Sequence, residues 1–400
     1  MAGITGMGTT YNLPNYVGEL FALTPDDTPL LSAIGGLTGG GETSATEFEW
    51  QTYDLRDPSQ RVRLEGATAP TAEERVRANA RNVCQIHQEK VSVSYTKQSA
   101  TGQIAGPQAA PYNALPGSNP VGNELNWQVQ QALKSIALDV NWSFINGTYQ
   151  LPTDSSTARK TRGLLQAITT NRIAKGTSVT GATSATDTIT ATGHGLTAGN
   201  KIVFTATGAA TGIVAGRVYY VVTVVDANNF KVSASSGGAA ITLGTATGLA
   251  FTKPWATALT GDVINDLLQL AYDNGGISEQ ATATLLCNSV QKRAITKAYA
   301  SAYGQYRETS RTMGGVNVNT VVTDFGTLNL MMDRHMPQDT IAVVSMEDLM
   351  PVFLNVPGKG HFFEEPLAKT GASDEVQLYG EIGLKYGAEK HHAVMTGLVI

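Results

Sequence analysis

GNELNWQVQQALKSIALDVNWSFING, residues 122–147, is the longest stretch of the chain that reads as a single helix. Within it Leu125, Val129, Leu133, Ile136, Val140 and Phe144 recur at steps of four or three, which at 3.6 residues per turn sets all six on one face. On nearly the opposite side the same wheel gathers Trp127, Leu138, Trp142 and Ile145, with polar residues on the flanks between. A surface helix carries one apolar stripe. Two stripes predict packing on both sides: the helix's own domain on one, another layer or another subunit on the other. Asn123 fits an N-cap, and Gly147 after Asn146 fits a C-terminal stop. At about 1.5 Å per residue the helix would be roughly 38 Å long, a strut.

Upstream of the strut, residues 1–45 are rich in Gly and Thr, with Pro14, Pro25, Pro29 and one short apolar patch at Leu30, Leu31 and Ile34. They read as an extended arm that is ordered by lying on something else. From Thr46 the period changes to two, with Phe48 and Trp50 on one face and Glu47, Glu49 and Gln51 on the other, the pattern of a half-buried strand. A second strand is expected over residues 83–96, where Val91, Val93 and Tyr95 alternate. Between them Arg56, Arg61, Arg63, Arg75, Arg77 and Arg81 face Asp57, Glu65, Glu73 and Glu74, with almost no large apolar side chain. This predicts a long, charged, projecting hairpin over residues 46–100. A loop of that length without a core is either solvated and flexible or an arm that a partner orders.

Downstream, a Pro/Ser/Thr loop leads through RKTRG at 159–163 to Leu164, Leu165 and Ile168. Composition then shifts: residues 176–253 are mostly Thr, Ala, Gly and Val, with short alternating runs at 187–192, 201–206, 217–225 and 230–234 broken by Gly and Asn turns. We read a small all-β module inserted into a larger domain, which requires its two ends to lie close together. The main body resumes with helices expected at 261–272 and 288–299. Strands follow at 316–322, 327–331 and 340–344, then a loop over 351–370 and a last pair of strands at 376–384 and 393–400. Helices and strands interleave without repeated strand-helix units, so the fold class is α+β.

The 400 residues leave room for two or three domains. A net charge of -5 with 15% charged residues excludes the basic balance of a nucleic-acid binder. Cys84 and Cys287 fit neither a metal pattern nor a disulfide framework and read as buried thiols in a reducing compartment. No run approaches the ~18 apolar residues of a membrane span and no targeting signal is visible, so the expected place of assembly is a cytoplasm. No catalytic constellation emerges either. G-x-S-x-G, H-E-x-x-H and the phosphate loop are missing, and Gly358-Lys359-Gly360 reads as a turn. His391 and His392 beside Glu389, and His361 near Glu364, offer at most two metal ligands each. Asp333-Arg334-His335 reads as a local ion pair. We therefore expect no catalytic residues, no metal and no cofactor.

In order along the chain, TPLLSAI (28–34), TEFEWQT (46–52), EGATAP (65–70), VSVS (91–94), NEL (123–125), RGLL (162–165), TDFGT (323–327), Asp333-Arg334 and LAKTG (367–371) make a series that resembles the major capsid (major head) proteins of tailed bacteriophages. GHGLTAG at 193–199 is similar to a segment of β modules in phage structural proteins. The resemblance implies the tailed-phage major capsid protein fold: an N-terminal arm (1–45), an extended hairpin (46–100), a peripheral domain with the spine helix (101–175), the β insertion (176–253) and an axial domain (254–315). Residues 316–400 would supply axial strands and the return to the peripheral domain. It implies a subunit that assembles into hexamers and pentamers of an icosahedral head. Expected partners are further copies of the chain, a separate scaffolding protein and a portal, with packaged DNA inside the shell without specific recognition, and no membrane. The setting would be the virion, assembled in the bacterial host cytoplasm. Candidate subunit contacts are Phe48 and Trp50 at the hairpin base and Trp127 and Trp142 on the strut. On the loop they are Arg56, Arg61, Arg63, Glu65, Glu73, Glu74, Arg75 and Arg77. The chain has no lysine before Lys90, so a covalent weld through the hairpin tip is not expected. The arm is too short to hold a scaffolding domain. Asn141 stands where the family favours Glu, and the insert lies outside the basic fold. The alternative reading is a phage tail or surface binding module with a glycan-binding β domain.

Overall fold

A computed structural model describes residues 26–96, 124–154, 156–277, 283–302, 320–368 and 371–400. The arm is not extended where it is described: Pro29–Ala33 is a short helix, α1, with proline in its first turn, where the missing N–H costs nothing. Its Leu30 and Leu31 are fully enclosed. The strands Gly41–Thr43 (β1), Glu47–Tyr53 (β2), Arg77–Val83 (β3) and Gln85–Ser94 (β4) follow, then the spine helix Glu124–Asn146 (α2) and the single turn Leu164–Ala167 (α3). Strand Arg172–Ala174 (β5) precedes the insert strands Thr177–Ala185 (β6), Thr188–Thr190 (β7), Lys201–Ala206 (β8), Val218–Val224 (β9), Asn229–Ser233 (β10) and Ala246–Lys253 (β11). The rest is Gly261–Asp273 (α4), Ala283–Cys287 (β12), Ser289–Ala302 (α5), Thr320–Thr323 (β13), Gly326–Met332 (β14), Ile341–Ser345 (β15), Met350–Leu354 (β16), Phe362–Pro366 (β17), Ser373–Lys385 (β18) and Ala393–Thr396 (β19).

Two sheets form the body. The six-stranded sheet runs β13-β14-β12-β15-β19-β5. Its central strands ATLLC and IAVVS are buried at every residue because both faces are covered. On one face Leu285, Ile341 and Val343 meet α4 and α5; on the other Leu286, Ala342 and Val344 join the core shared with the spine helix. The second sheet is built on the long β18, which pairs with β4, β16 and β17. Residue 353 pairs with 382 and residue 362 with 380, so β16 and β17 are one strand interrupted by a looped-out segment. That segment replaces part of the loop expected over 351–370, and its turn is Gly358-Lys359-Gly360, closed by the Val356–Gly360 bridge.

The hairpin differs from expectation in its return strand. β2 pairs with Arg77–Val83, from Glu47 opposite Val83 to Tyr53 opposite Arg77, whereas the VSVS stretch belongs to β4 and pairs with β18. In Arg77–Val83 the arginines and Asn79 alternate only with the small Ala78 and Ala80, and burial begins at Asn82 and Val83 where the strand meets the body, so no large apolar side chain marks its period. The spine helix packs on β4, β18 and α1. Ile136, Val140 and Phe144 are buried as read and Leu125 and Val129 partly so, but Leu133 is 40% exposed and Ile145 is 0% exposed. The two-stripe pattern therefore fails at the C-terminal end: Asn141, Ser143 and Ile145 are buried there along with Val140 and Phe144, so the helix is enclosed on most sides. The expected N-cap Asn123 lies outside the described residues.

Residues 177–253 close into a six-stranded antiparallel barrel in the order β10-β7-β6-β11-β8-β9. Phe204, Phe230 and Phe251 meet edge to face in its fully buried interior. Its first and last strands, β6 and β11, fall outside the runs expected: β6, TSVTGATSA, gives no apolar alternation, and β11 shows only the brief alternation of Leu249 and Phe251 after Ala-Thr-Gly. Thr177 pairs with Lys253, so the ends are adjacent.

Candidate functional site

The hairpin is held at its base by two aromatic side chains of β2. Phe48 lies on Gly383, where a Cβ would come within 2.7 Å of its ring. The Trp50 Nε1–H donates to the Gly387 carbonyl at 2.7 Å, and its indole stands edge-on to Tyr386 with centroids 4.8 Å apart. These two candidates thus make contacts within the subunit and fix the angle at which the hairpin leaves it. Farther out, Arg81 lies 3.5 Å from Glu47, Asn79 donates to Glu49 at 3.1 Å, and Arg77 donates to Gln51 at 2.9 Å.

Beyond Tyr53 the chain runs without strand pairing to Arg77, and every residue from 54 to 76 is exposed. Across this loop Arg61 and Arg75 both reach Glu73, at 2.8 and 3.2 Å. The hydrogen bond from Arg61 holds the Glu73 carboxyl below the usual carboxylate range. Arg56 donates to its neighbour's carbonyl, at Asp57, and Arg63, Glu65 and Glu74 point into solvent. The loop is less purely polar than read: Leu55, Val62, Leu64 and Val76 are 70 to 85% exposed. Four exposed apolar side chains interleaved with charges form a surface fit to lie on another protein. On the strut, Trp142 is 47% exposed and Trp127 half-buried.

The histidines, acidic residues and lysine with chemical potential are engaged in structural contacts. His391 Nδ1 lies 2.6 Å from Asp348, and buried His392 lies between the Tyr386 carbonyl and the Ser345 N–H. Glu389 accepts from the Thr169 and Thr170 amides. His361 pairs with Glu42 at 2.8 Å and stacks on Phe353, away from Glu364. Lys359 pairs with Glu365. In Asp333-Arg334-His335 the ion pair of Arg334 goes outside the triplet, to Asp27 of the arm, while Asp333 meets His335 and Asn141. Among the described residues no group of three or more His, Cys, Asp or Glu could hold a metal, and no helix is long and apolar enough to cross a membrane. Both cysteines are free and buried, and burial pushes each thiol up to about 12.

Two buried connections carried no readable signal. Asn82 donates to the Leu384 and Arg162 carbonyls and accepts from the Arg162 and Val83 amides. Arg159 pairs with Glu381 at 2.8 Å, with both side chains largely enclosed. Each joins segments some 80 to 300 residues apart, which no local pattern announces.

The architecture has close counterparts. The chain superposes on the capsid asymmetric unit of cyanophage A-1(L) with a TM-score of 0.54 at 11% identity, covering 96% of this chain and 97% of that one. It superposes on the capsid structure of cyanophage P-SCSP1u with a TM-score of 0.51 at 10% identity, covering 98% and 95%. For the capsid of an empty GTA particle the values are 0.50, 10%, 99% and 98%. At such identities the likeness shows the fold. No curated protein matches the sequence. The sequence profile described as SU10 major capsid protein matches residues 3–399, which leaves the tail-module reading without support. The chain belongs to the SU10 major capsid protein family and is a capsid-forming structural protein of a bacteriophage virion.

Proposed function

We propose that the subunit builds its shell as hexamers and pentamers held chiefly by the hairpin loop, which lies on a neighbouring copy, and by the outer face of the spine helix. The observation that carries this reading is a 23-residue loop, 54–76, that is exposed throughout yet presents Leu55, Val62, Leu64 and Val76 among its charges. Within one subunit those side chains gain nothing. Against a neighbour each would contribute through about 25 cal/mol per Å² of apolar area buried. Arg56, Arg61, Arg63, Arg75 and Arg77 with Glu65, Glu73 and Glu74 supply register and orientation, since exposed ion pairs contribute only about 0 to 1 kcal/mol each. Weak, repeated contacts suit a closed shell, because misplaced subunits can leave and rejoin.

The work of the protein in this reading is assembly rather than catalysis. It takes place in the host cytoplasm with a separate scaffolding protein and a portal, around DNA that the shell encloses without reading its sequence. The barrel decorates the shell. Replacing residues 54–76 by Asn-Gly, which turns β2 directly into β3, tests the central claim. The variant should keep the parent's thermal midpoint as a free subunit and yield no closed particles by sedimentation and negative-stain microscopy. Normal shells from the shortened chain would overturn it. Closed shells of uniform size from the parent chain alone would remove the need for a scaffold.

A further inference from the structure

Between β1, β2 and β16, on the outer side of the hairpin base, lies an open cleft of ≈ 370 Å³. Its floor is apolar, made by Phe48 of β2 with Met350 and Val352 of β16, and Phe48 and Met350 are only half-buried. Its rim is acidic: Glu42, Glu47 and Glu49 stand there with a single cation, Lys385 at the end of β18. Contacts within the subunit hold these carboxylates in place without covering them. Glu42 meets His361 at 2.8 Å, Glu49 accepts from Asn79 at 3.1 Å, and Glu47 lies 3.5 Å from Arg81. The wall beside the floor is closely fitted, since a Cβ on Gly40 would come within 2.2 Å of the Pro351 carbonyl oxygen. The cleft is therefore a formed depression rather than a gap that side chains could fill by relaxing.

The tip of the hairpin loop carries the complementary pattern. The loop turns over at residues 64–67, where the Ala67 N–H donates to the Leu64 carbonyl at 3.1 Å and Gly66 takes a positive φ. Just before the turn Val62 and Leu64 are 77 and 85% exposed. Arg61 is held by Glu73, whereas Arg63 and Glu65 reach into solvent. The tip thus sets an apolar side chain between a cation and an anion, and the cleft sets an apolar floor between carboxylates and an ammonium. The two do not meet within one subunit. At about 3.3 Å per residue the paired ladder from Glu47 to Tyr53 carries the loop roughly 20 Å from its base before the unpaired stretch begins.

We propose that the cleft at the base of each hairpin receives the loop tip of a second copy: Leu64 seats on Phe48 and Met350, Arg63 meets the Glu42 and Glu49 side of the rim, and Glu65 meets Lys385. This rests on the reading that the loop lies on a neighbouring copy, and adds the place where it lands. Tip and cleft are different patches of one chain, so the contact is heterologous, and repeated from copy to copy it closes into a ring of the kind hexamers and pentamers require. Burial of Leu64 supplies affinity. The charges on either side of it set register and reject a tip that enters reversed.

Hydroxyl-radical footprinting of the parent chain, as free subunits and as closed particles, tests the fit. Oxidation of Leu64 at the tip and of Met350 in the cleft should both fall several-fold on assembly. Protection of Leu64 with Met350 unchanged would overturn the landing site and leave the loop on its neighbour; protection of neither would overturn both readings. Protection of Met350 with Leu64 unchanged would give the cleft to another segment or protein and also overturn the proposal. Cross-linking then identifies the occupant. Cys84 and Cys287 are buried and offer no competing thiol, so particles of Leu64→Cys with Met350→Cys, oxidised with diamide, should run as a ladder of joined chains on a non-reducing denaturing gel. Monomers alone from those particles would sink the idea. Should the double variant not assemble, the footprint of the parent decides.

Discussion

Asn82 shows how much a single amide can join. Buried completely, it offers two donors to the Leu384 and Arg162 carbonyls and its oxygen to two amide N–H groups, so the hairpin base, the segment after the strut and β18 meet at one side chain. Asn82→Ala strands those partners away from water. It should lower the stability of the unassembled subunit by about 3 kcal/mol in urea unfolding. His87 on β4 makes the opposite case. It is buried with Nε2 lacking a hydrogen-bond partner among the described residues, and burial pushes its imidazole down to about 4. The unfolded chain takes up this proton near pH 6.5 and the folded chain only near 4. Stability is therefore lost as pH falls through that window, by up to roughly 3 kcal/mol, and the loss levels off below it. His87→Leu should flatten the urea midpoint between pH 6.5 and 4; an undiminished slope would contradict the assignment. At this scale the sequence was partly readable. Alternation set Phe48 and Trp50 on one face of β2, and Asn141 stood out as a departure. Asn82, Arg159 and the meeting of Asn141 with Asp333 were invisible, because the partners lie far apart along the chain.

Among elements, the spine helix was the most legible, since 23 residues of helical period outweigh local noise. What periodicity could not supply was what covers each face. Leu133 sits between Val140 and Phe144 on the wheel and is nevertheless 40% exposed, while its neighbour Ala132 is in the core, so the buried stripe drifts to one side of Leu133 in the N-terminal half. Ile145 looked like part of an outer stripe and is core. Trp142 remains as the exposed aromatic of that face, so Trp142→Ser should leave the free subunit's melting temperature within about 2 °C. It should reduce the yield of closed particles, counted by microscopy. A lower melting temperature with normal particles would place Trp142 in the subunit's interior rather than at a contact. The hairpin was legible as a projecting charged element but misjudged in its return strand: Arg77–Val83 alternates Arg and Asn with nothing larger than Ala before Val83, so only its partner β2 defines it. Strands such as IAVVS were clear because complete burial writes an unbroken apolar run.

For the molecule as a whole, the ordered series of short segments carried the family, and the composition shift at residue 176 marked the insert. The closed barrel itself was beyond reach, because β6 is Thr, Ser, Ala and Gly around a single valine and β11 carries only Leu249 and Phe251 as large apolar residues. Since Thr177 pairs with Lys253 and Trp255 donates its N–H to the Gly397 carbonyl, both exits leave from the same corner of the body. Joining Lys175 to Pro254 through a short linker should still give a folded subunit and closed particles. Failure of the body to fold would assign the barrel an integral role.

The paired ends of the barrel also bear on how the body reaches its fold. While residues 176–253 are disordered, bringing their flanks together closes a loop of about 78 residues, at an entropic cost of roughly 4 kcal/mol beyond a constant. Once the barrel has closed, that stretch behaves in chain statistics as a clasp a few residues long. A core substitution such as Phe251→Ala would thus be felt in β5, β19 and α4, which it never touches, as slower refolding of the body. The barrel acts at a distance by shortening the effective chain.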